Sequence, residues 1–62
     1  MKDRLSVILQ RVTIRNEEVT LKLESDLTEP LFRKIEKRAN EAGISAYAWR
    51  NEILFRKKIQ TN

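Results

Sequence analysis

The chain has 62 residues, of which 13 are lysine or arginine and 9 are aspartate or glutamate, so its net charge is +4. It contains no cysteine and no histidine, which excludes disulfide bonds and most zinc sites, and we expect no metal and no cofactor. No apolar run approaches the ~20 residues that cross a bilayer, so we expect a soluble cytoplasmic protein. A chain this short buries only about 60% of its unfolded surface, which favours a single domain, residues 1–62, stabilised as a homodimer.

The charge balance suggests a class of partner. An isoelectric point near 9.9 is typical of proteins that bind a polyanion such as nucleic acid. The alternative is that a small domain carries net charge simply to stay in solution. Acidic residues are interspersed with the basic ones, so composition alone leaves both interpretations open.

The first half of the chain alternates apolar and polar residues, which predicts β-strands. Residues 1–5 are a predicted arm, and residues 6–24 a predicted β-hairpin that turns at Asn16 and Glu17. In this register one face carries Ile8, Val12, Ile14, Val19, Leu21 and Leu23. The other face carries Leu9, Arg11, Thr13, Arg15, Thr20, Lys22 and Glu24. Its basic side chains suit contacts to phosphates and base edges, or a solvated face that blocks edge aggregation.

Residues 28–60 are predicted to form a helical hairpin. Thr28 is a good N-cap, Pro30 suits a first turn, and apolar residues then recur at three and four, which predicts a helix over about residues 29–42. Gly43 is a candidate C-cap. Ser45 would then cap a second helix, over residues 46–59, at whose end the cations Arg56, Lys57 and Lys58 would complement the helix dipole.

The second predicted helix has apolar residues on all sides, so it should be contacted from more than one direction. One copy of so short a chain has too little material to cover it, which favours a homodimer. The predicted dimer interface consists of Trp49, Ile53, Leu54, Tyr47 and Phe55. The alternative role of the aromatic residues Trp49, Tyr47 and Phe55 is that of base-stacking platforms.

Catalysis is not expected. Without histidine or cysteine there is no imidazole base and no thiol nucleophile. Carboxylates occur singly in charge-rich stretches, and one glycine cannot build a phosphate-binding loop.

The strand, helix, turn and helix from residue 18 to residue 60 resemble the ribbon-helix-helix family. Val19–Leu23 is similar to the family's strand, and the segment Gly43–Ser45 is similar to its turn between helices. The resemblance implies an obligate dimer whose paired strands enter the major groove of double-stranded DNA. Carried over by position, Thr20 and Lys22 would face the bases. The backbone N–H groups of residues 44 and 45 would hold a phosphate at the start of the second helix.

We therefore expect an α+β protein of order β-β-α-α, a ribbon-helix-helix-like homodimer. Its expected role is that of a small transcriptional regulator, such as a repressor, or an accessory protein of a phage or plasmid. The predicted DNA-binding residues are Thr20, Lys22, Arg11, Arg15, Ile44 and Ser45.

The width of such a ribbon leaves two arrangements open. A dimer of hairpins would measure about 14 Å between its outer strands, against a major groove of about 12 Å. Either residues 7–14 leave the ribbon, or the sheet contacts DNA differently. The alternative function is a small protein-binding adaptor or inhibitor that uses a strand edge or the aromatic face of the second helix.

Overall fold

The computed structural model describes residues 3–58. Its elements are, in chain order, α1 (Arg4–Arg15), β1 (Val19–Lys22), α2 (Glu29–Glu41), β2 (Ile44–Trp49) and β3 (Glu52–Lys57). The protein is α+β, but the predicted order β-β-α-α is wrong. The first predicted strand is a helix, and the second predicted helix is a β-hairpin. Residues 1–2 of the predicted arm and residues 59–60 of the predicted helical hairpin lie outside the described residues.

Local capping explains why α1 is a helix. The carboxylate of Asp3 accepts a hydrogen bond from the backbone N–H of Ser6 at 2.7 Å, as an N-cap does. At the other end Asn16 takes the left-handed conformation, with φ +56°, and its N–H donates to the carbonyl of Val12. The predicted turn at this asparagine is therefore a helix C-cap. The buried residues of α1 recur at helical spacing and are Ile8, Leu9 and Val12.

The predicted helix over residues 29–42 is confirmed as α2. The hydroxyl of Thr28 accepts a hydrogen bond from the N–H of Leu31 at 3.4 Å, and Pro30 lies in the first turn. Just beyond the helix, Gly43 has φ +77°, a conformation that side chains with a Cβ rarely adopt. This left-handed conformation ends the helical path of the backbone, and β2 begins at the next residue.

The segment predicted as a second helix folds into β2 and β3, joined at Arg50 and Asn51. Two-residue hairpin turns need a positive φ at their first central position, and Arg50 has φ +59°. Apolar residues in this segment alternate between the two sides of the hairpin. On a helical wheel the same residues spread over every side, which is why a helix contacted all round was predicted.

The three strands form one antiparallel sheet of order β1-β3-β2, so the last strand lies in the middle. Leu21 and Ala48 both lie opposite Ile53 on the central strand. Beyond the end of β1, the N–H of Leu23 donates to the carbonyl of Asn51 at 2.8 Å. The side-chain amide of Asn51 donates back to the Leu23 carbonyl at 3.0 Å. These two bonds tie the hairpin turn to the neighbouring strand.

Both helices contribute to a single hydrophobic core on one face of the sheet. Val12, Ile53 and Phe55 are completely buried in it. The core consists of Ile8, Leu9, Val12, Leu21, Ile35, Ala39, Ile44, Ala46, Ile53 and Phe55. Because side chains alternate along each strand, the intervening residues point to the opposite face. No helix of the described part of the chain covers that opposite face.

Candidate functional site

The uncovered side of the sheet is a continuous surface that the core does not use. We call it the open sheet face, and it is formed by Thr20, Lys22, Ser45, Tyr47, Trp49, Glu52, Leu54 and Arg56. The strand register arranges these side chains in rows, such as Thr20, Leu54 and Tyr47 across the middle of the sheet. None of the eight is buried, so the face is accessible to a ligand.

Two aromatic side chains stand on this face along the edge strand β2. Tyr47 is 54% exposed and Trp49 is 70% exposed, which is unusual for large apolar groups. Positions two apart on a strand are about 6.6 Å apart, so the rings are neighbours with a gap between them. The guanidinium carbon of Arg50 lies 5.8 Å from the centroid of the Trp49 ring, within cation–π range.

The charges of the open sheet face are distributed unequally. Toward β1, each cation has a carboxylate partner. Arg56 Nε lies 3.0 Å from Glu18 Oε1, and Lys22 Nζ lies 4.0 Å from Glu52 Oε1. These exposed pairs contribute little stability, but they neutralise that side of the face.

Toward β2, cations gather beside Tyr47. A shallow depression of about 210 Å³ is lined by Ser45, Tyr47, Arg56, Lys57 and Lys58. Within residues 3–58, neither Lys57 nor Lys58 forms an ion pair with a carboxylate. The depression therefore combines positive charge, two hydroxyls and an aromatic ring, which suits a phosphate group attached to a planar base.

The structure separates the predicted DNA-binding residues. Thr20, Lys22 and Ser45 share the open sheet face. Arg11 and Arg15 belong to α1, which packs on the other side of the sheet, and Arg11 is paired with Glu17 at 2.9 Å. The predicted set therefore does not form one surface.

The predicted phosphate site at residues 44 and 45 has no structural basis. Ile44 is completely buried, and both residues begin a strand rather than a helix. There is consequently no helix N-terminus at this point to present backbone N–H groups.

The residues of the predicted dimer interface divide between the two faces of the hairpin. Ile53 and Phe55 are completely buried in the core of their own chain, so no partner can contact them. Tyr47, Trp49 and Leu54 lie on the open sheet face. The helical interface is absent because the helix itself is absent.

Sequence reasoning treated Arg56, Lys57 and Lys58 as complements of a helix dipole and missed their place beside Tyr47. The signal that could have found them is the period of two in this segment. Ser45, Tyr47 and Trp49 alternate with Ile44, Ala46 and Ala48, and this pattern predicts an aromatic face on a strand.

The carboxyl group of Asp3 has a strongly shifted pKa. The backbone N–H of Ser6, followed by the side chains of Arg38 and Ser6, lowers the pKa of Asp3 to about 2. Arg38 Nη1 lies 3.1 Å from Asp3 Oδ2, and its guanidinium also contacts the Ser6 hydroxyl. This cluster fixes the start of α1 against α2 and is not part of the open sheet face.

Comparison of the chain with protein-family models, with curated proteins and with solved structures gave no match. Membership of the ribbon-helix-helix family stays a prediction, and the observed order of elements differs from the order that the resemblance implied. Within residues 3–58, neither helix has the length and apolar character needed to cross a membrane. The same residues contain no cluster of side chains suited to hold a metal ion.

Proposed function

We propose that the protein is a non-enzymatic binding module that takes single-stranded nucleic acid on its open sheet face. One observation carries this proposal: two strongly exposed aromatic rings lie on one strand, and one of them, Tyr47, lines a depression together with cations. Proteins that bind single strands combine aromatic stacking platforms with positively charged grooves. Such a module fits the expected role of a small cytoplasmic regulator or accessory protein of a mobile element.

The spacing of the two rings favours unstacked bases. Tyr47 and Trp49 are separated by about 6.6 Å along the strand, roughly twice the 3.4 Å rise between stacked bases of one duplex strand. A base on each ring must therefore leave its neighbour, which a flexible single strand allows at low cost. A base pair inside a duplex cannot present its flat face to either ring.

The cations beside Tyr47 supply the phosphate contacts. A nucleotide whose base stacks on Tyr47 would place a phosphate near the depression, within reach of Lys57 and Lys58. Each neutralised phosphate releases counterions, with a slope of about −0.7 in log affinity against log salt for single strands. Contacts from these two cations correspond to a slope of about −1.4.

Duplex DNA, the partner predicted from the sequence, is the second candidate. Three strands measure about 9.6 Å between outer axes, narrower than the major groove of about 12 Å. However, Lys22 and Arg56 on this face are each paired with a carboxylate, and duplex binding would need those cations for phosphates or base edges. The pairing makes single strands the stronger proposal.

The single tryptophan of the chain offers a direct assay, since it is Trp49 itself. Titration with a single-stranded oligonucleotide should quench its fluorescence as a base stacks on the ring, and DNA and RNA strands should be compared. A matched duplex should bind more weakly. Fluorescence anisotropy of a labelled strand then measures the affinity of each variant for the strand. Tyr47→Ala and Trp49→Ala should each weaken binding by about 1–3 kcal/mol, or roughly fivefold to a hundredfold, while Trp49→Phe should retain most of the affinity.

A charge-matched pair of variants tests where the strand binds. Lys58→Ala and Arg15→Ala remove the same net charge, but only Lys58 lines the depression, whereas Arg15 belongs to α1. Lys58→Ala should weaken binding and make the salt slope shallower by about 0.7, and Arg15→Ala should change neither. Equal effects of the two substitutions, or quenching by duplex alone, would contradict the proposed site.

A further inference from the structure

A carboxylate lies opposite the more exposed of the two aromatic rings. Trp49 and Glu52 flank the hairpin turn and are partners in the register of β2 and β3. In such a hydrogen-bonded pair the Cα atoms are about 5.5 Å apart, and both side chains lie on the same face of the sheet. The side chain of Glu52 is 41% exposed, so a molecule that contacts Trp49 can also reach this carboxylate.

The chemistry of this carboxylate differs from that of the cations beside Tyr47. Its negative charge repels the phosphates of a bound strand. A carboxylate also accepts hydrogen bonds and cannot donate them. Glu52 therefore suits the edge of a base that carries N–H donors, and it does not suit the backbone of the strand.

The cation paired with Glu52 leaves its oxygens able to accept other hydrogen bonds. Lys22 Nζ lies 4.0 Å from Glu52 Oε1, which is beyond hydrogen-bond distance. An exposed pair of this kind contributes little stability, so both groups can turn toward a ligand at low cost. In the sheet register, Lys22 lies opposite Glu52 on the side away from Trp49. A base on the tryptophan therefore has a carboxylate and an ammonium in the same row.

The ring of Trp49 keeps a face for stacking. The guanidinium carbon of Arg50 lies 5.8 Å from the ring centroid, and one cation covers only one of the two faces of a ring. A base that stacks on the other face can rotate in its own plane. Its Watson–Crick edge can thus turn toward Glu52.

We propose that Glu52 selects guanine as the base that stacks on Trp49. The Watson–Crick edge of guanine carries two adjacent donors, N1–H and the N2 amino group, which match the two oxygens of one carboxylate. The acceptor O6 lies next to these donors and suits the ammonium of Lys22. This inference rests on the proposed function, because it concerns the same strand on the same ring.

The other bases match this row of side chains less well. Thymine and uracil have a single donor, N3–H, between two carbonyl oxygens that repel a carboxylate. Cytosine and adenine each present one amino group beside an acceptor nitrogen, so only one carboxylate oxygen receives a hydrogen bond. Within a duplex these edges are already paired, and the selection therefore applies to unpaired guanine.

A set of strands that differ at one base tests the selection. The strands contain five thymidines, or four with guanine or hypoxanthine as the central base, and fluorescence anisotropy measures their affinity for the wild-type protein. The guanine strand should bind at least about fivefold more tightly than the thymidine strand, which is the low end for a bidentate contact. Hypoxanthine keeps N1–H and O6 but lacks the N2 amino group, so its strand should lie between the two. Equal binding of the guanine and hypoxanthine strands would overturn the proposed contact.

A charge-matched pair of variants tests whether Glu52 is responsible. Glu52→Gln replaces one acceptor oxygen by a donor, so the ratio of guanine to thymidine affinity should fall close to unity. Glu18→Gln removes the same charge from the carboxylate that pairs with Arg56 and should leave this ratio at its wild-type value. Both variants repel phosphates less, which is why the ratio, and not the affinity, is the quantity compared. A ratio that survives Glu52→Gln, or that is lost equally in Glu18→Gln, would overturn the assignment.

The same titrations separate this inference from the proposed function. If every strand binds and quenches Trp49 but the wild-type ratio is close to unity, the selection by Glu52 is refuted and the binding of single strands stands. If no strand binds, the proposed function is refuted, and the selection is refuted with it.

Discussion

Ile53 and Ile14 lie in different environments, so replacing each of them by valine compares the same chemical change at a buried and at an exposed position. Ile53 is completely buried on the central strand, whereas Ile14 is 68% exposed on α1. Replacing Ile53 by valine removes one buried methylene, worth about 0.8 kcal/mol in transfer. A remaining void of roughly 25 Å³ adds about 0.6 kcal/mol. The expected loss in the free energy of unfolding is about 1.4 kcal/mol at most, which corresponds to a fall of roughly 6–11 °C in Tm.

The same replacement at Ile14 should cost only about 0.3 kcal/mol, because about a third of the side chain is covered and water fills the space left behind. Urea unfolding followed by circular dichroism measures both variants. A chain of this length has a total stability of about 3–9 kcal/mol, so both should stay folded. The hairpin expected from sequence alternation would bury Ile14 opposite Val19. Equal losses for the two variants, or a larger loss at Ile14, would therefore refute the structure's placement of α1.

Three further predictions concern single positions. Gly43→Ala should destabilise the protein by about 1 kcal/mol, since φ is +77° but no atom lies within 4 Å of the added Cβ, and thermal unfolding measures the loss. Asn51→Ala removes the half-buried hydrogen bond from the side-chain amide to the Leu23 carbonyl and should lower the free energy of unfolding, measured in urea, by about 1 kcal/mol. The control is Asn40→Ala at an exposed position of α2, which should leave the free energy of unfolding unchanged. The lowered pKa of Asp3 stabilises the fold above its ordinary value of 3.8, and this contribution disappears as the pH falls toward about 2. Asp3→Asn should therefore flatten the acid limb of the stability profile between those pH values, and an unchanged limb would show that the carboxylate does not act there.

Local signals predicted β1 and α2 well. Thr28, Pro30 and Gly43 mark the start and end of α2 through their own backbone and side-chain chemistry, which depends little on the remainder of the fold. The alternation of Val19 and Leu21 likewise places β1 correctly. These elements could be predicted because their signals are local, namely boundary residues for α2 and alternation for β1.

The predicted first strand and the predicted second helix are both wrong because their apolar residues fit a strand period and a helix period equally well. Ile8 and Val12 are compatible with either a strand face or a helix face, and the signal that decides for the helix is the capping role of Asp3. In the C-terminal segment, the turn at Arg50 has no glycine to mark it. Without that signal, apolar residues on both sides of a hairpin resemble a helix that is apolar all round.

The candidate site was predicted only in part for the same reason. Thr20, Lys22 and Ser45 were assigned to nucleic acid, and all three lie on the open sheet face. The helical interpretation of this segment places Tyr47 and Trp49 in a dimer interface, whereas their exposure follows only from the hairpin. Which residues share a face depends on the sheet register, and the register requires that the hairpin be recognised first.

The position of β3 at the centre of the sheet has a consequence for synthesis of the chain. β1 and β2 are made first but never touch, so neither has a neighbour until the final strand emerges. No strand pairing can therefore form during translation until β3 emerges, which can then pair with β2, its neighbour in sequence, and with the distant β1. A polypeptide that terminates at Asn51 would lose every strand pairing at once, and cellular proteases should remove such a product quickly.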